Sequence, residues 1–69
     1  MLNKMYGTVK WYDTYKQYGM IIGFDDIEYY FSLNNTVNKN YVFKANDIVL
    51  FLPLFEENIA KAIDIEKEK

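Results

Sequence analysis

The side chains that usually carry catalysis are scarce in this chain. It has no histidine and no cysteine, and its one serine, Ser32, has no evident base to activate it. An enzyme is therefore not expected, and thiolate metal sites and disulfides are excluded. Asp25, Asp26 and Glu28 cluster enough carboxylate to suggest a hard-cation site, but their spacing suits a short acidic turn better. No metal and no cofactor is expected. The chemistry left is that of rings and lysines, since 19% of the residues are aromatic. Three stretches concentrate it: Lys10-Trp11-Tyr12, Tyr18-Gly19-Met20-Ile21-Ile22, and Tyr29-Tyr30-Phe31-Ser32. Side chains alternate along a β-strand, so Tyr18, Met20 and Ile22 share one face while Gly19 and Ile21 share the other. By the same rule Tyr30 points outward where Tyr29 and Phe31 point in. Exposed rings on adjacent strands make a stacking surface for unpaired bases, with lysines as point charges for phosphate.

Composition sets the frame for such a surface. Sixty-nine residues make one domain, which hides only about 60% of the surface of its unfolded chain. A 51% share of hydrophobic residues against 26% charged predicts a packed core rather than disorder. Seven tyrosines, five phenylalanines and one tryptophan exceed what so small a core buries, so several rings must reach the surface. The net charge of −2 and the absence of arginine work against a broad phosphate-binding field and exclude bidentate recognition by guanidinium. Charge is unevenly spread, however. Lys4, Lys10 and Lys16 face only Asp13 in the first third, whereas Glu56, Glu57, Asp64, Glu66 and Glu68 crowd the C-terminal part. No signal peptide is expected at Met1 to Thr8, and the apolar run Ile48 to Phe55 falls well short of the roughly 20 residues that span a bilayer. A soluble protein of the cytoplasm is expected.

The elements that must position the rings are short strands. Lys4 to Asp13 reads as the first, with Val9 and Trp11 at the same parity, so a buried Val9 and an exposed Trp11 require a bulge between them. Asp13 to Gln17 is a polar loop, and Tyr18 to Gly23 the second strand. A tight acidic turn leads into a third, Glu28 to Leu33. Asn34 to Asn46 is a long loop around Tyr41 and Phe43 that holds one irregular turn. Asp47 to Leu52 is a fourth strand that Pro53 ends or confines to an edge, and Ile59 to Ile65 a fifth. The predicted fold is all-β, a five-stranded antiparallel barrel, and strand count alone admits an SH3-like barrel as well as an OB-fold. Residues 1–66 form the single domain and 67–69 a polar C-terminal tail.

The blocks Gly7-Thr8-Val9-Lys10-Trp11-Tyr12, Lys16-Gln17-Tyr18-Gly19-Met20-Ile21 and Glu28-Tyr29-Tyr30-Phe31-Ser32 resemble the cold-shock domain pattern. That family reads G-x-V-K-W-F, K-G-F-G-F-I and D-V-F-V-H at matching spacing, and Ala62-Ile63-Asp64-Ile65 is similar to its closing A-x-N-V. The resemblance implies an OB-fold barrel that binds single-stranded RNA or DNA, with a role as RNA chaperone or regulator. Carried over by position, it implies a nucleic-acid-binding set of Lys10, Trp11, Lys16, Tyr18, Met20, Tyr30, Ser32 and Tyr41. Gln17, Met20, Ser32 and Leu33 depart from the family's glycine, phenylalanine, histidine and aromatic. The first alters a loop position that favours positive φ; the other three thin the stacking surface and predict weakened, not abolished, binding.

Ile48-Val49-Leu50-Phe51-Leu52 is apolar on both faces, where a small barrel strand ordinarily alternates. An outward Leu50 and Leu52 would offer a homodimer or protein-partner contact, and the alternative function is an interaction module of the same fold. An aggregation-prone edge blunted by Pro53 is the third option.

Overall fold

The computed structural model describes residues 3–68. Five strands follow in order: β1 (Met5–Asp13), β2 (Tyr18–Gly23), β3 (Glu28–Ser32), β4 (Ile48–Glu56) and β5 (Ile59–Lys67), with a 3-10 turn at Leu33–Asn35 after β3. They close into a barrel in the order β1-β2-β3-β5-β4. β1, β2 and β3 form an antiparallel meander, and β4 pairs antiparallel with both β1 and β5. The junction of β3 with β5 is parallel, Tyr30 opposite Lys61, and a parallel bridge from Thr36 to Ile65 extends it. The fully antiparallel barrel expected from the pattern is thus corrected to a mixed one. Strand direction cannot alternate all the way round a closed ring with an odd number of members, so one junction has to be parallel.

Alternation places the core as the sequence pattern requires. Val9, Ile21, Tyr29, Phe31, Val49, Phe51, Ala62 and Ile65 point inward and are buried, each large side chain contributing about 1.5–3 kcal/mol of transfer free energy. Phe43, from the long connection between β3 and β4, joins them, its ring 5.2 Å from both Phe31 and Tyr12. It closes one end of the barrel from a loop. The inner face tolerates no side chain at Gly19, where a Cβ would run into the Trp11 carbonyl and the Tyr12 Cα.

Two irregularities shape the outside. The register of β1 against β2 shifts between Val9 and Trp11, the bulge that parity demands, so that Val9 stays inside and Trp11 stands out. A second shift, between Leu50 and Leu52 against β5, coincides with Asp64 at a φ of 51°. Pro53 does not end β4, which continues to Glu56. The last β1 partner on β4 is Phe51, so Pro53 lies where only β5 is a neighbour and its missing N–H leaves no second ladder short of a donor. β5 likewise runs past the point where a polar tail was expected. Lys67 pairs in register with Val49, forms an ion pair with Asp47 at 3.3 Å and donates to the Val42 carbonyl at 2.8 Å; Lys69 lies outside the described residues.

Candidate nucleic-acid interface

The outer face is organised in rows across the strands. Trp11, displaced by the bulge, stands opposite Met20 on β2; Met20 stands opposite Tyr30 on β3; Tyr30 is level with Lys61 on β5. One turn of the pleat away, Asp13, Tyr18 and Ser32 form a parallel row. The Trp11 and Tyr18 rings meet edge to face at 5.3 Å and 88°, a geometry favoured by ring quadrupoles. Tyr18 is 37% and Tyr30 50% exposed. Trp11, Tyr18 and Tyr30 therefore share one outer face, each with ring surface that water reaches.

Met20 does not join them as a contact surface. It is only 6% exposed although it lies outside the core cluster. Its row neighbours are two large rings, Trp11 and Tyr30, and between them an unbranched side chain becomes the floor of the platform. Ser32 is also committed elsewhere. Its backbone N–H and its hydroxyl both donate to Asn35 Oδ1, at 3.2 and 3.1 Å, which starts the 3-10 turn. Tyr41 is half-buried against Phe43, 5.6 Å away at 69°, so its aromatic neighbour is the barrel plug rather than a platform ring.

The two lysines differ in what holds them. Lys10 is the extra residue of the bulge, and its Nζ pairs with Glu28 at 2.7 Å; both partners are well exposed, and such pairs are worth about 0–1 kcal/mol. Lys16 is exposed in the β1–β2 loop. Asp13 Oδ1 accepts from the Tyr15 and Lys16 N–H groups, both at 3.0 Å, and fixes that loop. Gln17 adopts a φ of 61° there, so the loop keeps the left-handed conformation without the glycine that would ease it.

The acidic turn uses the Asp25 carboxylate internally. Asp25 accepts from Tyr29 Oη at 2.6 Å and from the Ile27 N–H at 3.0 Å. Burial, and then the Asp25 carboxylate, push the Tyr29 phenol up to about 12, while the tyrosine hydrogen bond holds Asp25 below its ordinary value.

Leu50 and Leu52 are half-buried rather than projecting, because Leu50 lies between Tyr6 and Glu66 and Leu52 against Ile63. The exposed apolar surface lies elsewhere. Tyr6, Ile22, Phe24 and Ile48 line a groove of about 550 Å³ with Asp26 and Glu68 also in its wall, and Phe24 is 89% exposed. A second cavity, of about 360 Å³, opens beside Tyr18 and Tyr30 and includes Asn35, Leu54, Glu56 and Lys61. Leu54, Glu56 and Lys61 were not legible as site residues, because β4 and β5 come round beside β3 only through closure of the barrel.

No protein-family model matches the chain, and no curated protein matches it in sequence. Among solved structures, the Drosophila Unr CSD456 superposes on 99% of this chain with a TM-score of 0.81 at 17% identity. The fold is that of a cold-shock domain. The chain spans 28% of that neighbour's length. At this identity the likeness concerns the path of the backbone.

Proposed function

We propose that the protein binds single-stranded nucleic acid, RNA foremost and DNA as well, by stacking unpaired bases on Trp11, Tyr18 and Tyr30. The observation that carries this reading is three water-accessible rings on one outer face of a cold-shock-like barrel, placed there by strand alternation and one bulge. Each stacked base contributes roughly 1–3 kcal/mol and every base has a π-face, so selectivity along the strand is low. Lys16 meets phosphate directly, and Lys10 does so by leaving Glu28. Binding the unpaired form disfavours base-paired structure by mass action, the action of an RNA chaperone or regulator in the cytoplasm. The role requires no catalysis.

Trp11 is the chain's single tryptophan, so its fluorescence reports on the platform. Titration with oligo(U) or oligo(T) at low salt should quench it saturably. Tyr30→Ala should weaken binding roughly 5- to 150-fold, the equivalent of one stacked base. Unchanged fluorescence up to near-millimolar oligonucleotide would overturn the proposal.

A second reading, a protein-interaction module, is favoured by the groove at Tyr6, Phe24 and Ile48 rather than by Leu50 and Leu52. Acidic Asp26 and Glu68 in its wall repel phosphate and select a basic, apolar peptide segment as occupant. Backbone amide shifts separate the two readings: oligonucleotide moves Trp11, Tyr18 and Tyr30, whereas such a peptide moves Gly7, Gly23 and Ile48.

A further inference from the structure

Next to the platform the outer face is concave. The parallel junction sets Lys61 level with Tyr30, and β4 places Leu54 on the other side of Lys61. The cavity of about 360 Å³ lies between Tyr18, Tyr30 and Ser32 on one side and Leu54, Glu56 and Lys61 on the other. Its walls combine aromatic and aliphatic side chains with Ser32, Asn35, Glu56 and Lys61, and it has room for one base. The charged groups within it form a single ion pair, Lys61 Nζ to Glu56 Oε1 at 3.3 Å, with both side chains about half exposed. At that distance neither partner is saturated, since an ammonium has three donors and a carboxylate about four lone-pair sites.

A carboxylate beside an ammonium is a template for a particular base edge. Guanine presents two adjacent donors, N1–H and N2–H, followed by the O6 acceptor. Uracil and thymine present one N–H between two carbonyls, which would set carbonyl oxygen against the carboxylate. Adenine and cytosine each present one amino group beside a ring acceptor, so only one N–H reaches the carboxylate. Guanine alone engages both carboxylate oxygens and still offers an acceptor to the ammonium.

We infer that this cavity is a guanine subsite, in which a base stacked against Tyr30 donates N1–H and N2–H to Glu56 and accepts from Lys61 at O6. The inference rests on the strand-binding reading above and adds selectivity at one nucleotide to a surface that otherwise reads none. Lys61 and Glu56 act on the base edge, Tyr18 and Tyr30 on its face.

The test compares hexauridylate with six variants carrying one guanosine at successive positions, followed by Trp11 fluorescence. One register, or two adjacent ones, should bind about tenfold tighter, as a bidentate contact discriminates. Inosine, which lacks the N2 amino group, should lose most of that gain at the same position. Glu56→Gln should bring the guanosine-to-uridine ratio close to one, whereas Glu57→Gln, which removes the same charge from the adjoining turn, should retain it. Thermal melts check that both variants fold. A ratio near one at every register, with hexauridylate still quenching, overturns the guanine subsite and leaves the stacking platform standing. A preference that survives Glu56→Gln also overturns it, and silence with every oligonucleotide removes both proposals.

Discussion

Tyr29 and Asp25 show how one residue pair ties stability to pH. The Tyr29 ring is fully buried and its hydroxyl donates to Asp25 at 2.6 Å. Burial and the carboxylate raise the phenol to about 12, above the value of roughly 10 it has in an unfolded chain. The unfolded chain thus releases this proton first, so the contribution is full below about pH 10 and is lost as pH rises toward 12. Asp25 has the opposite sign: held below its ordinary value chiefly by the tyrosine, it stabilises the fold above about pH 4 and loses that contribution on acidification. In urea denaturation, the stability difference between the wild type and Tyr29→Phe should shrink from pH 10 to 12. A constant difference would show that the phenol is not the titrating group. Residues of this kind are only half legible. Alternation says which face Met20 and Tyr29 occupy, but not that Trp11 and Tyr30 flank and cover the first or that Asp25 reaches the second.

Loops and bulges decide what the strands present. Gln17 sits at a φ of 61°, with its N–H bonded to the Asp13 carbonyl at 2.7 Å and its own carbonyl accepting from Leu33 at 3.0 Å. That conformation costs a residue with a Cβ about 1–2 kcal/mol, while glycine forfeits about 0.4–1 kcal/mol through its freer unfolded chain. Gln17→Gly should therefore stabilise the protein by about 0.5–1 kcal/mol, seen as a higher urea midpoint; an unchanged or lower midpoint would show that the side chain compensates for the strain. The bulge at Lys10 was legible because two residues of equal parity, Val9 and Trp11, had to face opposite ways. The continuation of β4 through Pro53 was not: proline forbids a donor only on a side that has a neighbour, and the neighbours of β4 follow from the whole barrel.

Across the whole molecule, charge is only partly segregated, since Asp47 shares the β3–β4 connection with Lys39 and Lys44. Lys16, Lys39 and Lys44 belong to the loops that follow β1 and β3, while Asp25, Asp26 and Glu57 belong to the turns that precede β3 and β5, at the opposite end of the barrel. With a net charge of −2, the long-range field offers a nucleic acid little, and stacking must carry affinity. Each phosphate neutralised on a single strand contributes about 0.7 to the slope of log affinity against log salt. Two lysines, Lys10 and Lys16, thus predict a fall with a slope of about 1.4 in salt-dependent Trp11 titrations, and a slope near 3 would reveal cations outside this set. What the amino-acid sequence determined by itself was local: the two-residue alternation that sorts inner from outer rings, the bulge, the acidic turn and the likeness of the three aromatic blocks. These depend on sterics and burial within one or two strands. Only the tertiary structure decided that β5 lies parallel to β3, that Phe43 closes the core from a loop, and that Glu56 and Lys61 border Tyr30. These contacts join residues distant in sequence, and they arise from the closing of five strands into a ring, a condition that no local pattern encodes.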